Sequence, residues 1–252
     1  MKKLVLIFLF LVVACPGWSL TYMAYEDFGG QWYDADKSGG DSQMCWAASV
    51  SNVLSYTGWS MGMDENQVFD VYRDNFPNSG NYFESALAYW FEGQDLIGVS
   101  TGGGGYYQNE DYQDFYVRST YWAADIMGDI DKWLHDGYGV DICIDGFQGH
   151  ALTVYGIDYD SSGYNGLWVA DGNDGSDSLI YLSMHSVTKD DFYFGNTVWV
   201  IDGPKYNGWV LNTASGLSRN NAAPVPEPAT ALLIILGLHF HTANRYRSNR
   251  RC

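Results

Sequence analysis

The chain has 252 residues and is strongly acidic, with 30 Asp and Glu against 13 Lys and Arg and a formal net charge of -17. It offers no basic face to phosphates, which argues against nucleic-acid binding. With 10 Trp, 20 Tyr and 12 Phe it is also not the composition of a disordered chain, and it suits a compact β-rich or mixed domain.

Residues 1–20 have the form of a signal peptide. Lys2 and Lys3 precede an apolar run, Leu4 to Ala14, that is too short for an ordinary membrane span, and Gly17-Trp18-Ser19 offers a small-x-small cleavage site. Val12-Val13-Ala14-Cys15 also has the form of a lipoprotein box. The plain signal peptide is preferred, because the other terminus already carries an anchor-like signal.

Residues 21–206 are expected to form one domain. Phe28 to Gly40 is an extended segment carrying Lys37, followed by a flexible loop. Met44 to Leu54 has the pattern of a buried helix with Cys45 in its first turn, and Asp41 and Ser42 upstream are capping residue types. Helices are predicted over Asp64–Phe76, ending before Pro77, over Tyr82–Phe91 and over Tyr121–Leu134. Gly102 to Gly105 lacks the lysine and context of a phosphate loop and is predicted to be a turn. From Gly139 the period changes to strands: Val140–Ile144, His150–Ile157, Gly166–Ala170, Leu179–Leu182 and Thr197–Ile201. Helices first and strands second predicts an α+β fold. A helical part carrying Cys45 would pack on a C-terminal antiparallel sheet carrying His150 and Asp171. Residues 207–224 lose apolar periodicity and are expected to be a linker.

The last segment, 225–252, contains Val225-Pro226-Glu227-Pro228, then Ala231-Leu232-Leu233-Ile234-Ile235-Leu236-Gly237-Leu238, then the basic run Arg245 to Arg251. It resembles a PEP-CTERM sorting signal, although His239 and His241 shorten the apolar helix. The resemblance implies export and transient membrane retention through the C-terminal helix. It further implies removal of the tail by the sorting machinery, leaving the body in the cell envelope or extracellular matrix.

The chemistry rests on two internal cysteines, Cys45 and Cys143, since Cys15 and Cys252 lie in the terminal segments. A thiol at a helix N-terminus meets open N–H groups and the positive end of the dipole, both of which favour the thiolate. His150 heads an apolar strand, and Asp171 ends the next one. Cys, His, then Asp or Asn is the order found in papain-like cysteine proteases. Cys143 lies inside a strand and is expected to be a core residue. A Cys45–Cys143 disulfide is compatible with export but would abolish this chemistry. No CxxC pair marks a zinc site, and neither metal nor cofactor is expected. His135 ends a helix, and His185 has no carboxylate pattern beside it.

The segments Trp32-Tyr33-Asp34, Lys37, Cys45-Trp46-Ala47-Ala48, Gly149-His150-Ala151-Leu152 and Val169-Ala170-Asp171-Gly172-Asn173 resemble the IdeS-type (immunoglobulin-degrading) cysteine endopeptidases of the papain-like clan. The resemblance implies Cys45 as nucleophile, His150 as base and acid, and Asp171 as the group that orients the imidazole. Lys37 would stabilise the oxyanion with the Cys45 backbone N–H. Asn173 stands where the family has a second aspartate, with Asp174 beside it as a substitute. The Lys37–Cys45 spacing is shorter than the family's and the body smaller, so immunoglobulin is not carried over as substrate. The function expected is an exported cysteine endopeptidase acting on protein or peptide. The alternatives are a cell-wall or matrix peptide amidase or transpeptidase with the same triad, or a non-enzymatic surface or matrix-binding protein.

Overall fold

The alternation after Gly139 sends apolar side chains to one face of each strand, and the strands curl around that face. In the computed structural model, residues 19–121, 125–146, 149–173, 175, 178–189 and 196–221 are described. Segments 1–18 and 222–252 lie outside the described residues, and with them Asp174, the sorting signal and all of the expected signal peptide except Ser19 and Leu20; Leu20 already belongs to the first strand, paired with Tyr159. The strands are β1 (Leu20–Met23), β2 (Tyr116–Thr120), β3 (Gly139–Asp145), β4 (His150–Asp160), β5 (Gly163–Ala170), β6 (Ile180–Lys189), β7 (Asn196–Asp202) and β8 (Val210–Leu217). The helices are α1 (Ala24–Phe28), α2 (Cys45–Thr57), α3 (Glu65–Asn75), α4 (Phe83–Glu92) and α5 (Ile126–His135).

All the pairings are antiparallel. The order β4-β3-β8-β7-β6-β5 returns to β4, because β4 pairs with β3 along one edge and with β5 along the other. The result is a closed six-stranded barrel, with β1 added beside β4 and β2 beside β8. This corrects the expected α+β, papain-like arrangement of a helical part packed on a C-terminal sheet. The reason is β8. The segment expected to begin a linker at residue 207 instead joins β3 to β7 and closes the ring. Its apolar residues Leu211, Ala214 and Leu217 are separated by Thr213, Ser215 and Gly216, so no alternation marks it as a strand. Closure at the β7–β8 seam is narrow: Val200 opposite Val210, with Ile201 N–H donating to the Trp209 carbonyl at 2.8 Å.

The barrel core contains Val140, Ile142 and Ile144 of β3, Leu152, Val154 and Ile157 of β4, and Leu167 and Val169 of β5. Helix α5 adds Ile126, Met127, Ile130, Trp133 and Leu134 to the same cluster. A register shift between Val154 and Gly156 changes the parity of β4, so Ile157 joins Leu152 and Val154 inside. Gly156 is required there by close approach, because a Cβ would meet Met23 sulfur at 2.4 Å and the Tyr22 carbonyl at 2.7 Å.

A second core, rich in aromatic residues, lies between α2, α3 and α4 and includes Trp46, Trp59, Phe69, Tyr72, Phe76 and Trp90. Its indoles are satisfied: Trp46 donates to the Ser79 carbonyl (2.9 Å), Trp59 to Ser218 (2.8 Å) and Trp90 to Trp59 (2.9 Å). Helix α3 begins with a capping box, Asp64 with Gln67, and ends before Pro77.

Helix α2 runs between this core and the barrel wall, and every residue after Cys45 is buried. Its barrel side is polar. Ser49 Oγ donates to Asp141 Oδ1 (2.6 Å) and lies 3.1 Å from Thr153 Oγ1, to which Asn52 Nδ2 also donates at 3.1 Å. Asn52 Oδ1 accepts from Ala35 N–H at 2.7 Å, which ties down the segment leading to Lys37.

The described residues of both cores end by Leu217, well before Val225. Thermal melts followed by circular dichroism are expected to show an unchanged midpoint when Val225–Cys252 is removed. A chain stopped before Val210 should show no cooperative transition. An unfolded protein after the first truncation would make the tail part of the domain.

Candidate active site

Three segments meet at one end of the barrel. Cys45 is the first residue of α2, and Met44 at the N-cap position provides no side-chain cap. The cap anticipated from Asp41 or Ser42 does not form. The Asp41 carboxylate instead accepts from the Ser38 N–H and hydroxyl at 3.2 and 2.7 Å. No side chain therefore neutralises the positive end of α2 at the thiol.

His150 opens β4 and Asp171 follows the last residue of β5. Thr153 pairs with Ala170 and Val154 with Val169, so the start of one strand lies beside the end of the other. His150 shares the alternation of Leu152 and Val154, and Asp171 that of Leu167 and Val169. The two side chains therefore leave on the same face, and His150 Nε2 lies 2.9 Å from Asp171 Oδ1. With Nε2 taken by the carboxylate, Nδ1 is the ring nitrogen left to serve the Cys45 thiol, which lines the same cleft as His150.

Burial opposes charge on all three groups, and the hydrogen bonds and charges between them prevail. For Cys45, burial raises the thiol pKa. The His150 hydrogen bond, the Ala151 backbone and the charges of His150 and Lys37 bring it below the ordinary thiol value. For His150, burial lowers the imidazole, while Asp171 and Cys45 raise it to about 9. Asp171 is pushed up by burial but held well below the usual carboxylate range by His150, Lys205 and Tyr206. Both shifts favour the thiolate–imidazolium pair over the neutral thiol and imidazole.

Lys37 is half-buried, and its Nζ is covered without a hydrogen-bond partner among the described residues. Its stem runs beside Gly172, where an added Cβ would stand 3.6 Å from Lys37 Cγ. Burial lowers its pKa, and Cys45, Asp171 and Asp41 oppose that shift. Lys37 is therefore not a freely solvated surface lysine. Asn173 donates its N–H to Asp171 Oδ1 (3.1 Å), and its Nδ2 stands 3.3 Å from both imidazole nitrogens. Cys143 is half-buried in β3 opposite Ala151, and burial above all pushes its thiol up to about 12. The other described histidines are engaged elsewhere, His135 with Asp131 (3.1 Å) and His185 with Asp202 (2.7 Å).

Two residues of the site were not singled out from the sequence. Lys205 Nζ lies 2.6 Å from Asp171 Oδ2, and Tyr206 donates its hydroxyl to the same oxygen at 2.5 Å. The Tyr206 ring also lies 5.3 Å from the imidazole. Tyr206 is held at φ 63, one of two described non-glycine residues with positive φ. Such backbone costs about 1 kcal/mol or more and concentrates at functional sites. The sequence signal was the turn chemistry around them, Gly203-Pro204 before and Asn207-Gly208 after, in a body poor in lysine.

The thiol opens into a cleft of about 680 Å³ whose walls include Trp46, Tyr82, His150, Tyr206 and Trp209. The arrangement can activate a thiol, hold an imidazolium beside it and present an ammonium to a developing anion. No protein-family model matches the chain, and no curated protein matches it.

Alkylation with iodoacetamide reports the thiolate directly. Cys45 is expected to react at neutral pH with a rate that falls only on acidification, while Cys143 stays inert until strongly alkaline pH. In His150→Ala the Cys45 profile should move up towards an ordinary thiol. An unshifted profile would remove the imidazole from thiol activation.

Proposed function

We propose that the protein is a cysteine endopeptidase, exported and held temporarily at the membrane by its C-terminal segment before processing by the sorting machinery. The observation that supports it best is that Cys45, at an uncapped helix N-terminus, shares one cleft with His150, whose ring is held at 2.9 Å by the buried Asp171. The Cys45 thiolate attacks the scissile carbonyl carbon. Negative charge develops on the carbonyl oxygen, where the Lys37 ammonium and the Cys45 backbone N–H meet it. His150 then gives its proton to the leaving amine, and the amine departs from an acyl-enzyme. Water, deprotonated by His150, releases the acid and restores the thiolate. Asp171 fixes the ring orientation throughout, and Lys205, Tyr206 and Asn173 fix Asp171.

Lys37 Nζ makes no hydrogen bond among the described residues, so its donors are free for an oxyanion, and the charges of Cys45, Asp171 and Asp41 favour the ammonium against burial.

Digestion of a broad peptide library tests the proposal. Cys45→Ala is expected to abolish cleavage and Cys143→Ala to preserve it. Lys37→Ala should lower kcat by about 10²–10³ with little change in KM or Tm. Cleavage that survives Cys45→Ala would reject the assignment. Near-normal kcat in Lys37→Ala would return the oxyanion role to backbone donors or to Gln43, which also lines the cleft.

A further inference from the structure

A second cavity, of about 220 Å³, adjoins the cleft and shares Trp46, Asn81, Tyr82, Cys143 and Ala151 with it. It therefore begins one residue from Cys45 and one residue from His150. Its upper walls are aromatic, with Trp46, Tyr82 and Tyr116 among them. Its charged residues are of two kinds. Glu84 and Arg118 face each other at 3.6 Å, with side chains 33% and 49% exposed, and mark the rim. Asp141 is only 4% exposed and marks the floor.

Asp141 is unusual in its partners. Ser49 holds one oxygen, Oδ1, at 2.6 Å. Among the described residues no donor reaches the other oxygen, and the rim cation Arg118 is engaged by Glu84 and not by Asp141. Burial, against the smaller opposing effects of the Ser49 hydrogen bond and the His150 charge, pushes this carboxyl up to about 7. A buried acid with an open oxygen destabilises the fold above its unfolded pKa. One oxygen serves the seam with α2; retaining the other open, in a cavity beside a reactive thiol, is the pattern of a binding site.

We infer that this cavity is the substrate side-chain subsite and that it takes a basic residue, lysine or arginine. The aliphatic stem lies between Trp46, Tyr82 and Tyr116, and the cationic end reaches Asp141 past Glu84. The inference rests on the proposed peptidase activity and adds the substrate class. Apolar walls accept the methylenes, and the floor carboxylate completes its bonding with the incoming donor. An acidic substrate side chain would meet two carboxylates against one guanidinium that Glu84 already engages, and would be disfavoured. The excess of acid over base in the whole chain acts in the same direction, drawing cationic peptides towards the cleft.

The test is a position-scanning peptide library digested by the full-length protein. At one position near the cut, Lys and Arg are expected to raise kcat/KM at least about tenfold over Met or Gln, and Glu to be disfavoured. Asp141→Asn keeps the shape and a partner for Ser49. It should bring the Lys-to-Met ratio to near unity while cleavage of the Met peptide is largely retained and Tm at pH 8 does not fall. Glu84→Gln, on the exposed rim, should lower the same ratio by a few-fold and carries the test even if Asp141→Asn does not fold. A wild-type protein that cleaves peptides without basic preference overturns the inference alone. So does an Asp141→Asn protein that loses Lys and Met peptides equally, which is the mark of a structural role. A wild-type protein that cleaves no peptide overturns both the inference and the peptidase reading.

Discussion

The structure depends on the contact between helix α2 and the barrel wall. Cys45 has chemistry only because the helix that begins with it is pinned against the strand that begins with His150. The contact is polar where it matters, with Ser49 and Asn52 on the helix meeting Asp141 on β3 and Thr153 on β4. Each such bond contributes about 1 kcal/mol net, but a lost partner strands a buried polar group at about 1–3 kcal/mol. Apolar faces can slide past one another by small amounts, whereas this set of bonds fits one register. Asn52 extends the same network to Ala35, and so ties down the segment that carries Lys37. One seam thus sets the positions of nucleophile, imidazole and ammonium together.

Asp171 is the second fixed point. It is fully buried and anionic, a combination that burial alone would forbid. It persists because His150, Lys205, Tyr206 and the Asn173 N–H all bond to it. The strained backbone at Tyr206 is part of this arrangement, since the left-handed turn brings residues 205 and 206 back over the carboxylate. The same charge that stabilises the imidazolium would be too costly to bury without these donors. Stabilisation of Asp171 by the 203–208 turn is therefore a condition for the charged state of His150, and through it of Cys45.

Much of the local structure was legible in the sequence, because period is a local property. The helices near Glu65–Asn75, Phe83–Glu92 and Ile126–His135, and the five strands from Gly139 to Asp202, follow from spacing and from stops such as Pro77. Closure was not legible. It depends on β8, whose small residues show no alternation, and on pairing between strands far apart in the chain. Strand β2 was missed for a related reason, since Tyr116-Val117-Arg118-Ser119-Thr120 mixes apolar and charged residues on a sheet edge. For the site, the order of Cys45, His150 and Asp171 was enough to bring them into one group. Lys37 entered only through resemblance, as a lone lysine on a loop carries no signal of burial. Lys205, Tyr206 and the open oxygen of Asp141 are consequences of tertiary return, and neighbouring sequence does not encode them visibly.

The central claim is that His150 is an imidazolium because it lies between Asp171 and the Cys45 thiolate. Nitrogen-15 NMR of the imidazole rings across a pH titration tests this most directly. His150 is expected to remain protonated at pH 8, with a pKa near the value of about 9 that its partners impose, and to titrate lower in Cys45→Ala. A His150 that is neutral at pH 8, or one whose titration is unchanged when Cys45 is removed, would contradict the account.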